Sequence, residues 1–422
     1  SEGNSREIYR SDSEGQKAQS YKAAHIKELV DQLLGFPKYL AQHPGGMIIN
    51  SMPLTEIVPV QPSAIDGRYI VQWDKNSIED VGFVKIDLLA LGTLSQIHEA
   101  LLLIEQKTGK YIDLSRIDFE DNQVYDMLGV GDVIGVFQVE SAAQIQTIKR
   151  LQPRNLIDMA HEVGSVRPGV GVHDGVARYL RRRMGTENIT YTHPLEEKAL
   201  ARTYGVILFQ DQVNQVAMDV AGFSSIEADQ LRRMFSRKTQ PEVMHKVWLK
   251  FLEGALANGL TYIQAQKVFE KFNGQYMFPE AHAFAFGVTA YHTAWLKYYY
   301  PLEFYVAIFN QQPMGFYNLE TLKEDAKRHR IRVLNPDLNT SLSKSKPLNN
   351  DLLLGFLNIR SIGHGVSEMI VNQRLQHGVF HSVADFIERI DISRVNLHNL
   401  VSAGVFDSFK ASRRDTLCKA SL

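Results

Sequence analysis

Cysteine is almost absent from this sequence: Cys418 is the only one in 422 residues. One cysteine excludes an internal disulfide framework and cysteine-based zinc sites, and this scarcity is typical of proteins in a reducing compartment. The sequence also has no apolar run of membrane-spanning length, and its first 15 residues are polar and contain no signal-peptide core. These absences predict a cytoplasmic protein.

An excess of charge of either sign is missing as well. The 46 lysines and arginines nearly balance the 47 aspartates and glutamates, which gives a formal net charge of -1. Any nucleic-acid-binding surface must therefore come from local clusters of basic residues. The length, with 44% hydrophobic and 22% charged residues, predicts an ordinary globular protein of two or more domains.

What the sequence does contain is one lysine and one aspartate in an otherwise apolar stretch, VGFVKIDLLALG at 81–92. Alternate residues of a β-strand share a face, so we expect Lys85 and Asp87 side by side. Burying a charge is costly unless it is paired or binds a metal, and two charges in so apolar a strand are expected to need such compensation. From these residues alone, a plain ion pair between Lys85 and Asp87 is favoured over a catalytic site.

A series of short motifs gives this stretch a wider context. The motifs are QHPGGMII (42–49), VQWDK (71–75), VKIDLLALGTL (84–94), GVFQVES (135–141), VRPG (166–169), YLRRRMG (179–185), GVILFQDQV (205–213), ADQLRRMFSRK (228–238), FPEAHAFAF (278–286), TAWLKYYYPLEF (293–304) and QPMGFY (312–317). In this order and spacing they resemble the alpha subunit of the bacterial C-family DNA polymerases. QHPGG, FPEAH and QPMGFY look more like the error-prone accessory alpha subunits used in lesion bypass than like the replicative ones.

The resemblance implies an α+β fold that is predominantly α-helical, with a partial nucleotidyltransferase-like palm sheet, a large helical fingers domain and a tandem helix-hairpin-helix module. The expected domains are the end of a thumb-like helical segment at 1–42, the second half of the palm at 43–95, the fingers at 96–338, a linker at 339–351 and the helix-hairpin-helix region at 352–422. The linker prediction rests on the polar stretch 335–351. Thr93 and Gln96 predict a capping box that opens a helix ending at Gly109.

Polymerisation requires two divalent ions, expected to be Mg²⁺, and such hard cations prefer carboxylate oxygens. The resemblance implies that Asp87 is a catalytic metal ligand and that Lys85 faces the same site, where an ammonium suits the triphosphate. The other two catalytic aspartates of the family lie in an upstream Asp-x-Asp motif, and no such motif precedes Asp87 here. We therefore expect part of a DNA-directed DNA polymerase that is inactive by itself.

Five residues are implied by the resemblance as neighbours or ligands of the nucleotide: Arg167, Arg232, Arg233, Lys238 and His282. Guanidinium forks fit phosphate oxygens, which favours the arginines of the 228–238 segment as triphosphate ligands. The alternative for this segment is a solvated helix face, with Asp229 and Arg233 at i,i+4 spacing. The alternative for His282, which lies among phenylalanines, is a core residue.

Two segments are predicted to contact DNA. Gly363 and Gly365 of IGHG precede a predicted helix that ends near residue 375, and such glycines let backbone amides turn toward a phosphate. The pattern resembles a helix-hairpin-helix that binds the duplex backbone, whereas the second hairpin, AGVF at 403–406, is expected to be structural. Arg181 and Arg182 form another candidate patch, and a surface face balanced by Glu187 is its alternative.

The implied partners are primer–template DNA and deoxynucleoside triphosphates, with a sliding clamp and other polymerase subunits bound through regions that this chain does not contain. The alternative from another class is a non-catalytic helix-hairpin-helix DNA-binding module, in which the palm strand is structural. A nuclease or ligase of helix-hairpin-helix type is disfavoured, because neither a compact carboxylate cluster nor a ligase-like lysine motif occurs.

Overall fold

The computed structural model describes residues 13–33, 42–43, 45–88, 91–166, 174–236, 241–272, 278–315, 317–410 and 413. The chain divides into two compact units, Ser1–Ala90 and Leu91–Leu422. Among the helices in the described ranges, none is both long enough and apolar enough to cross a membrane.

In its described residues, the first unit combines two α-helices with short antiparallel strand pairs. Its elements are α1 (Ser13–Leu33), β1 (Gly46–Ile49), β2 (Val60–Pro62), β3 (Tyr69–Val71), α2 (Lys75–Asp80) and β4 (Val84–Asp87). Strand β1 pairs with β4, and β2 pairs with β3. Helix α2 begins after Asp74, whose carboxylate accepts a hydrogen bond from the backbone N–H of Ser77 at 2.8 Å.

The second unit is predominantly helical from its start to residue 328. Its helices in this part are α3 (Gly92–Thr108), α4 (Asn122–Gly129), α5 (Ala142–Leu151), α6 (Leu156–Ser165), α7 (Asp174–Arg183), α8 (Glu197–Leu200), α9 (Gln210–Ala221), α10 (Ser225–Ser236), α11 (Pro241–Ala257), α12 (Tyr262–Glu270), α13 (Glu280–Tyr299), α14 (Pro301–Asn310) and α15 (Leu319–Arg328). The predicted α+β fold with a large excess of helix is confirmed.

A small mixed sheet and three further helices follow. They are β5 (Val333–Leu334), β6 (Lys346–Leu348), β7 (Asp351–Leu353), α16 (His364–His377), α17 (Val383–Arg389) and α18 (Arg394–Ser402). Strand β7 is central, parallel to β5 and antiparallel to β6. Helix α16 agrees with the helix predicted after the IGHG motif.

Local signals explain several helix ends, but the predicted capping box at Thr93 and Gln96 is wrong. The N-cap of α3 is Leu91, two residues before Thr93, and no side chain caps the helix. Thr93 and Gln96 lie inside the helix, 5% and 1% exposed, because they belong to the side of α3 that packs into the core. The predicted end is confirmed, since Gly109 terminates α3 with a φ of 69°.

The core of the second unit depends on helices that approach closely. Helix α13 packs along α6, and a Cβ added at Gly287 would lie 3.0 Å from the backbone nitrogen of Ala160. Helix α14 is buried from Leu302 to Phe309 and packs against α3. The contact with α6 fixes the position of α13, the helix that carries His282.

The segment 339–351, predicted as a linker, is folded in this structure. Ser341 and Ser345 are 0% and 4% exposed, and the segment includes β6. The backbone N–H of Ser345 donates to Oδ1 of Asn310 at 2.7 Å, which ties the segment to the end of α14. The polar side chains of this segment therefore belong to a folded region and not to a linker. The predicted domain boundaries stay predictions.

Candidate functional site

Lys85 and Asp87 lie on β4, where the antiparallel register sets them opposite Ile48 and Gly46 of β1. The expectation that the apolar strand buries these charges is wrong. Both side chains are exposed, and so are Val84 and Ile86 on the other face, at 59% and 39%. Among the described residues β1 and β4 form a two-stranded sheet whose charged side chains reach the surface.

A histidine that the sequence analysis missed stands beside Asp87. Nε2 of His43 lies 3.7 Å from Oδ2 of Asp87. Nδ1 of His43 accepts hydrogen bonds from the backbone N–H groups of Gly45, at 3.2 Å, and Gly46, at 2.6 Å. Because Nδ1 is an acceptor, a neutral His43 carries its proton on Nε2 and turns an N–H toward the carboxylate. The motif QHPGG, which contains His43 and ends at the first residue of the strand that pairs with β4, is the sequence feature that could have indicated this residue.

Gly46 leaves room for the side chains of this cluster. A Cβ there would lie 2.8 Å from Cε of Lys85 and 2.9 Å from Nδ1 of His43. The small residue therefore lets the lysine, the histidine and Asp87 gather on one face of the sheet. The carboxylate of Asp87, with its side chain 49% exposed, is accessible as a hard oxygen ligand.

A second group of metal-ligand type, Asp132, Asp325 and His329, lies in the helical unit. Its cation position is taken by Lys297, whose Nζ donates to Asp132 at 2.6 Å and to Asp325 at 2.7 Å. Burial opposes ionisation of Asp132, but hydrogen bonds with His329 and Lys297 bring its pKa down to about 2. We interpret this group as a structural ion network.

The two candidate arginines of α10 share one carboxylate. Nε and Nη2 of Arg232 donate to Oδ1 of Asp229 at 3.1 and 2.6 Å, and Nε of Arg233 donates to Oδ2 at 2.7 Å. The hydrogen bond from Arg232 is the main cause that lowers the pKa of Asp229. Arg233 is 65% exposed and Arg232 is 22% exposed, so both the ion pair and an accessible basic face are present.

The start of α9 joins the arginine helix to the histidine predicted at the nucleotide. Nη1 of Arg232 donates to Oε1 of Gln210 at 3.0 Å, and the backbone N–H of Gln210 donates to the carbonyl of Phe278 at 3.0 Å. The ring of His282 stacks on that of Phe278, with centroids 5.4 Å apart and planes at 11°. His282 is exposed, so its core alternative is wrong.

A second link runs through the next residue, Asp211, whose carboxylate accepts the backbone N–H of Glu280 at 2.7 Å. Glu280 in turn pairs with Arg202, with 2.6 Å between Oε2 and Nη2. The structure thus brings Arg232, Arg233 and His282 to one junction, and it adds Gln210, which sequence reasoning missed. Arg167 and Lys238 lie outside the described residues.

The prediction that Arg182 contacts DNA is wrong. Arg182 is 8% exposed, and its guanidinium donates to Glu187 at 3.1 Å, to the carbonyl of Tyr204 at 2.8 Å and to Thr190 at 3.0 Å. Through these hydrogen bonds, Arg182 links α7 to the segment that follows it. Arg181 also bonds Glu187, at 2.9 Å, but its side chain is 48% exposed.

The first glycine pair of the helix-hairpin-helix pattern lies open at the N-terminus of α16. Gly363 is the N-cap residue, and a Cβ at Gly363 or Gly365 would meet nothing within 4 Å. The second hairpin differs, because Gly404 has a φ of 84° and a Cβ there would lie 2.5 Å from the Arg413 guanidinium. The space around Gly363 and Gly365 can accommodate a phosphate, whereas Gly404 is required by the local backbone conformation.

Three family models match the chain in succession. The bacterial DNA polymerase III alpha NTPase domain matches residues 3–90, the bacterial DNA polymerase III alpha subunit finger domain matches 93–259, and the helix-hairpin-helix motif matches 330–416. Asp87 lies in the first matched range, Arg232 and Arg233 lie in the second, and Gly363 and Gly365 lie in the third. The chain belongs to the bacterial DNA polymerase III alpha-subunit family, which confirms the predicted resemblance.

Within that family the chain is similar to proteins named error-prone DNA polymerase. The relative from Corynebacterium glutamicum is 40% identical over 400 residues, which are 94% of this chain and 38% of the relative. The relative from Nocardia farcinica is 40% identical over 388 residues, 91% of this chain and 34% of the relative. The relative from Mycobacterium tuberculosis is 38% identical over 400 residues, 94% of this chain and 36% of the relative. The chain thus spans just over a third of the length of these curated relatives.

Proposed function

We propose that this chain supplies the second half of the palm, the fingers and the helix-hairpin-helix region of an error-prone DNA-directed DNA polymerase. The whole enzyme adds deoxynucleotides to a primer 3′ end by two-metal phosphoryl transfer. The observation that carries the proposal is the succession of three domain matches in polymerase order, on a chain whose Asp87 carboxylate is accessible on a β-strand.

Asp87 is the residue of this chain that would hold Mg²⁺, together with carboxylates from outside the described residues. Its carboxylate oxygens, on a side chain that is 49% exposed, fit that role. When bound, two Mg²⁺ ions activate the primer hydroxyl and stabilise the leaving pyrophosphate. Lys85, on the same strand face, supplies a positive charge for the triphosphate.

Arg232 and Arg233 bind the triphosphate of the incoming nucleotide in this proposal, and His282 lies near it. The support is the junction at the start of α9, which links α10 to Phe278 and His282. A guanidinium offers paired donors that match phosphate oxygens. Arg167 and Lys238 share this role by family resemblance.

Duplex DNA contacts the open N-terminus of α16, where Gly363 and Gly365 leave room for a phosphate. The exposed side chain of Arg181 is a further candidate contact with the DNA backbone. A sliding clamp and other polymerase subunits are bound by parts of the parent protein outside this chain.

The purified 422-residue chain tests this assignment. Anisotropy of a labelled primer–template should show weak binding that falls as salt rises, because phosphate contacts release counterions. The same chain should extend no primer with Mg²⁺ or Mn²⁺, since one aspartate cannot hold two hard cations. Template-dependent extension that Asp87→Asn abolishes would contradict the incomplete site, and salt-insensitive binding would contradict the phosphate contacts.

A further inference from the structure

The guanidinium of Arg232 is fixed by side chains from two different helices. Asp229, one turn earlier on α10, accepts from Nε at 3.1 Å and from Nη2 at 2.6 Å. Gln210, on α9, accepts from Nη1 at 3.0 Å. A planar guanidinium whose donors are bound on two sides keeps one orientation.

Gln210 is itself placed on a rigid part of the fold. It is the first residue of α9 and follows Phe209, which is 0% exposed. Phe209 packs so closely on α6 that a Cβ at Gly164 would lie 2.5 Å from its ring. The backbone N–H of Gln210 is also bonded to Phe278, at 3.0 Å. The amide oxygen is therefore presented to Arg232 from a fixed backbone.

Arg233 shows what the contact with a second helix adds. It is 65% exposed and is held through Nε by Asp229 of its own helix, at 2.7 Å. A side chain held in this way keeps most of its rotamer freedom and loses it when a ligand binds. Arg232, 22% exposed, has already lost that freedom on folding.

We infer that Gln210 is a positioning residue for the incoming nucleotide, because it holds the Arg232 guanidinium in the orientation that meets the triphosphate. This inference rests on the proposed function of Arg232. An amide suits the task, since its oxygen accepts a hydrogen bond without adding a negative charge that repels the triphosphate. Gln210 acts through Arg232 and raises nucleotide affinity, not the rate of the chemical step.

Single-turnover primer extension by a full-length polymerase that contains this chain tests the inference. Gln210→Met keeps the side-chain length and removes the acceptor. The apparent Kd of the nucleotide should rise about fivefold, with the maximal rate and primer–template affinity unchanged. Gln215→Met is the matched control on the same helix, where the amide donates to Asp219 at 2.9 Å, and all three quantities should stay at the parent's values.

A double-mutant cycle separates positioning from a merely structural role. In an Arg232→Ala background, Gln210→Met should cause no further rise in Kd, because the guanidinium that it orients is gone. A further rise of the same size, or a normal Kd for Gln210→Met alone, overturns the inference. A normal Kd for Arg232→Ala alone overturns the proposed role of Arg232 and the inference with it. If Gln210→Met fails to fold, Gln210→Asn, one methylene shorter, should raise the Kd in the same way.

Discussion

Glu162 is a carboxyl group buried on α6 with no hydrogen-bond or ion-pair partner among the described residues. It is 0% exposed, and both carboxylate oxygens are unsatisfied. Burial raises its pKa well above the ordinary 4.5, because the charged form loses its hydration. Burial also lowers the pKa of the neighbouring His161 to about 4, so burial disfavours the charged form of both adjacent groups. We predict that Glu162→Gln stabilises the protein at neutral pH.

The pH dependence follows from which state binds the proton. Above pH 4.5 the unfolded chain has lost the Glu162 proton and the folded chain still holds it, so the free energy of unfolding falls as pH rises. The free energy of unfolding falls by about 1.4 kcal/mol per pH unit as long as the folded chain still holds the Glu162 proton. Glutamine does not ionise, so the variant lacks this decrease.

Urea unfolding followed by far-UV circular dichroism measures the effect in parent and Glu162→Gln. The stability difference between them should grow as pH rises above 4.5, by up to about 1.4 kcal/mol per pH unit, in favour of the variant. Glu253→Gln, on the exposed face of α11, is the matched control and should show no such trend. A stability difference between parent and Glu162→Gln that does not change with pH would refute the raised pKa of Glu162.

Three further experiments test the assignments of the basic and glycine residues. Arg232→Lys should raise the nucleotide Kd about tenfold, because the orientation of Arg232 depends on a planar guanidinium. Arg233→Lys should raise it less than about threefold. Equal effects of the two substitutions would contradict this difference. Bulky residues at Gly363 and Gly365 should make the salt dependence of duplex binding shallower by about one unit, and an unchanged slope means that the hairpin is structural. Arg182→Ala should lower the free energy of unfolding, measured in urea, by about 2 to 3 kcal/mol and leave DNA affinity unchanged. Weaker DNA binding by the folded variant would instead support a contact between Arg182 and DNA.

The sequence patterns that succeeded are local ones. Gly109 ends α3 and the IGHG motif opens α16 as predicted, because a positive φ or a helix start is decided within a few residues. The Thr93–Gln96 pattern failed because α3 begins after Leu91 and both side chains are buried inside the helix. A capping motif competes with tertiary contacts, and the tertiary contacts decided here.

Burial was harder to predict than secondary structure. Alternation along β4 predicted that Lys85 and Asp87 share a face, but it does not report which layer covers that face. In the same way, the RRR run gave no sign that Arg182 is buried, because its partners Thr190 and Tyr204 are distant in sequence. Partner identity depends on the fold of the intervening chain, which a window of a few residues does not contain.

The missed residues of the candidate site illustrate the same limit. His43 reaches Asp87 only because β1 pairs with β4 in a register that sets Gly46 opposite Asp87. Gln210 reaches Arg232 only because α9 and α10 pack together. Both residues lie inside motifs, QHPGG and GVILFQDQV, on which the family resemblance rests. The motifs therefore marked these positions but did not indicate which residues His43 and Gln210 contact.

The central claim is that Asp87 is a metal ligand of a polymerase. Single-turnover primer extension with Mg²⁺ by a full-length polymerase that contains this chain tests it, with Asp87→Asn compared with Asp80→Asn, an exposed aspartate at the end of α2. Asp87→Asn should lower the extension rate by about 100-fold or more and leave primer–template affinity intact, whereas Asp80→Asn should match the parent. Extension by Asp87→Asn at a rate close to that of the parent would contradict the account.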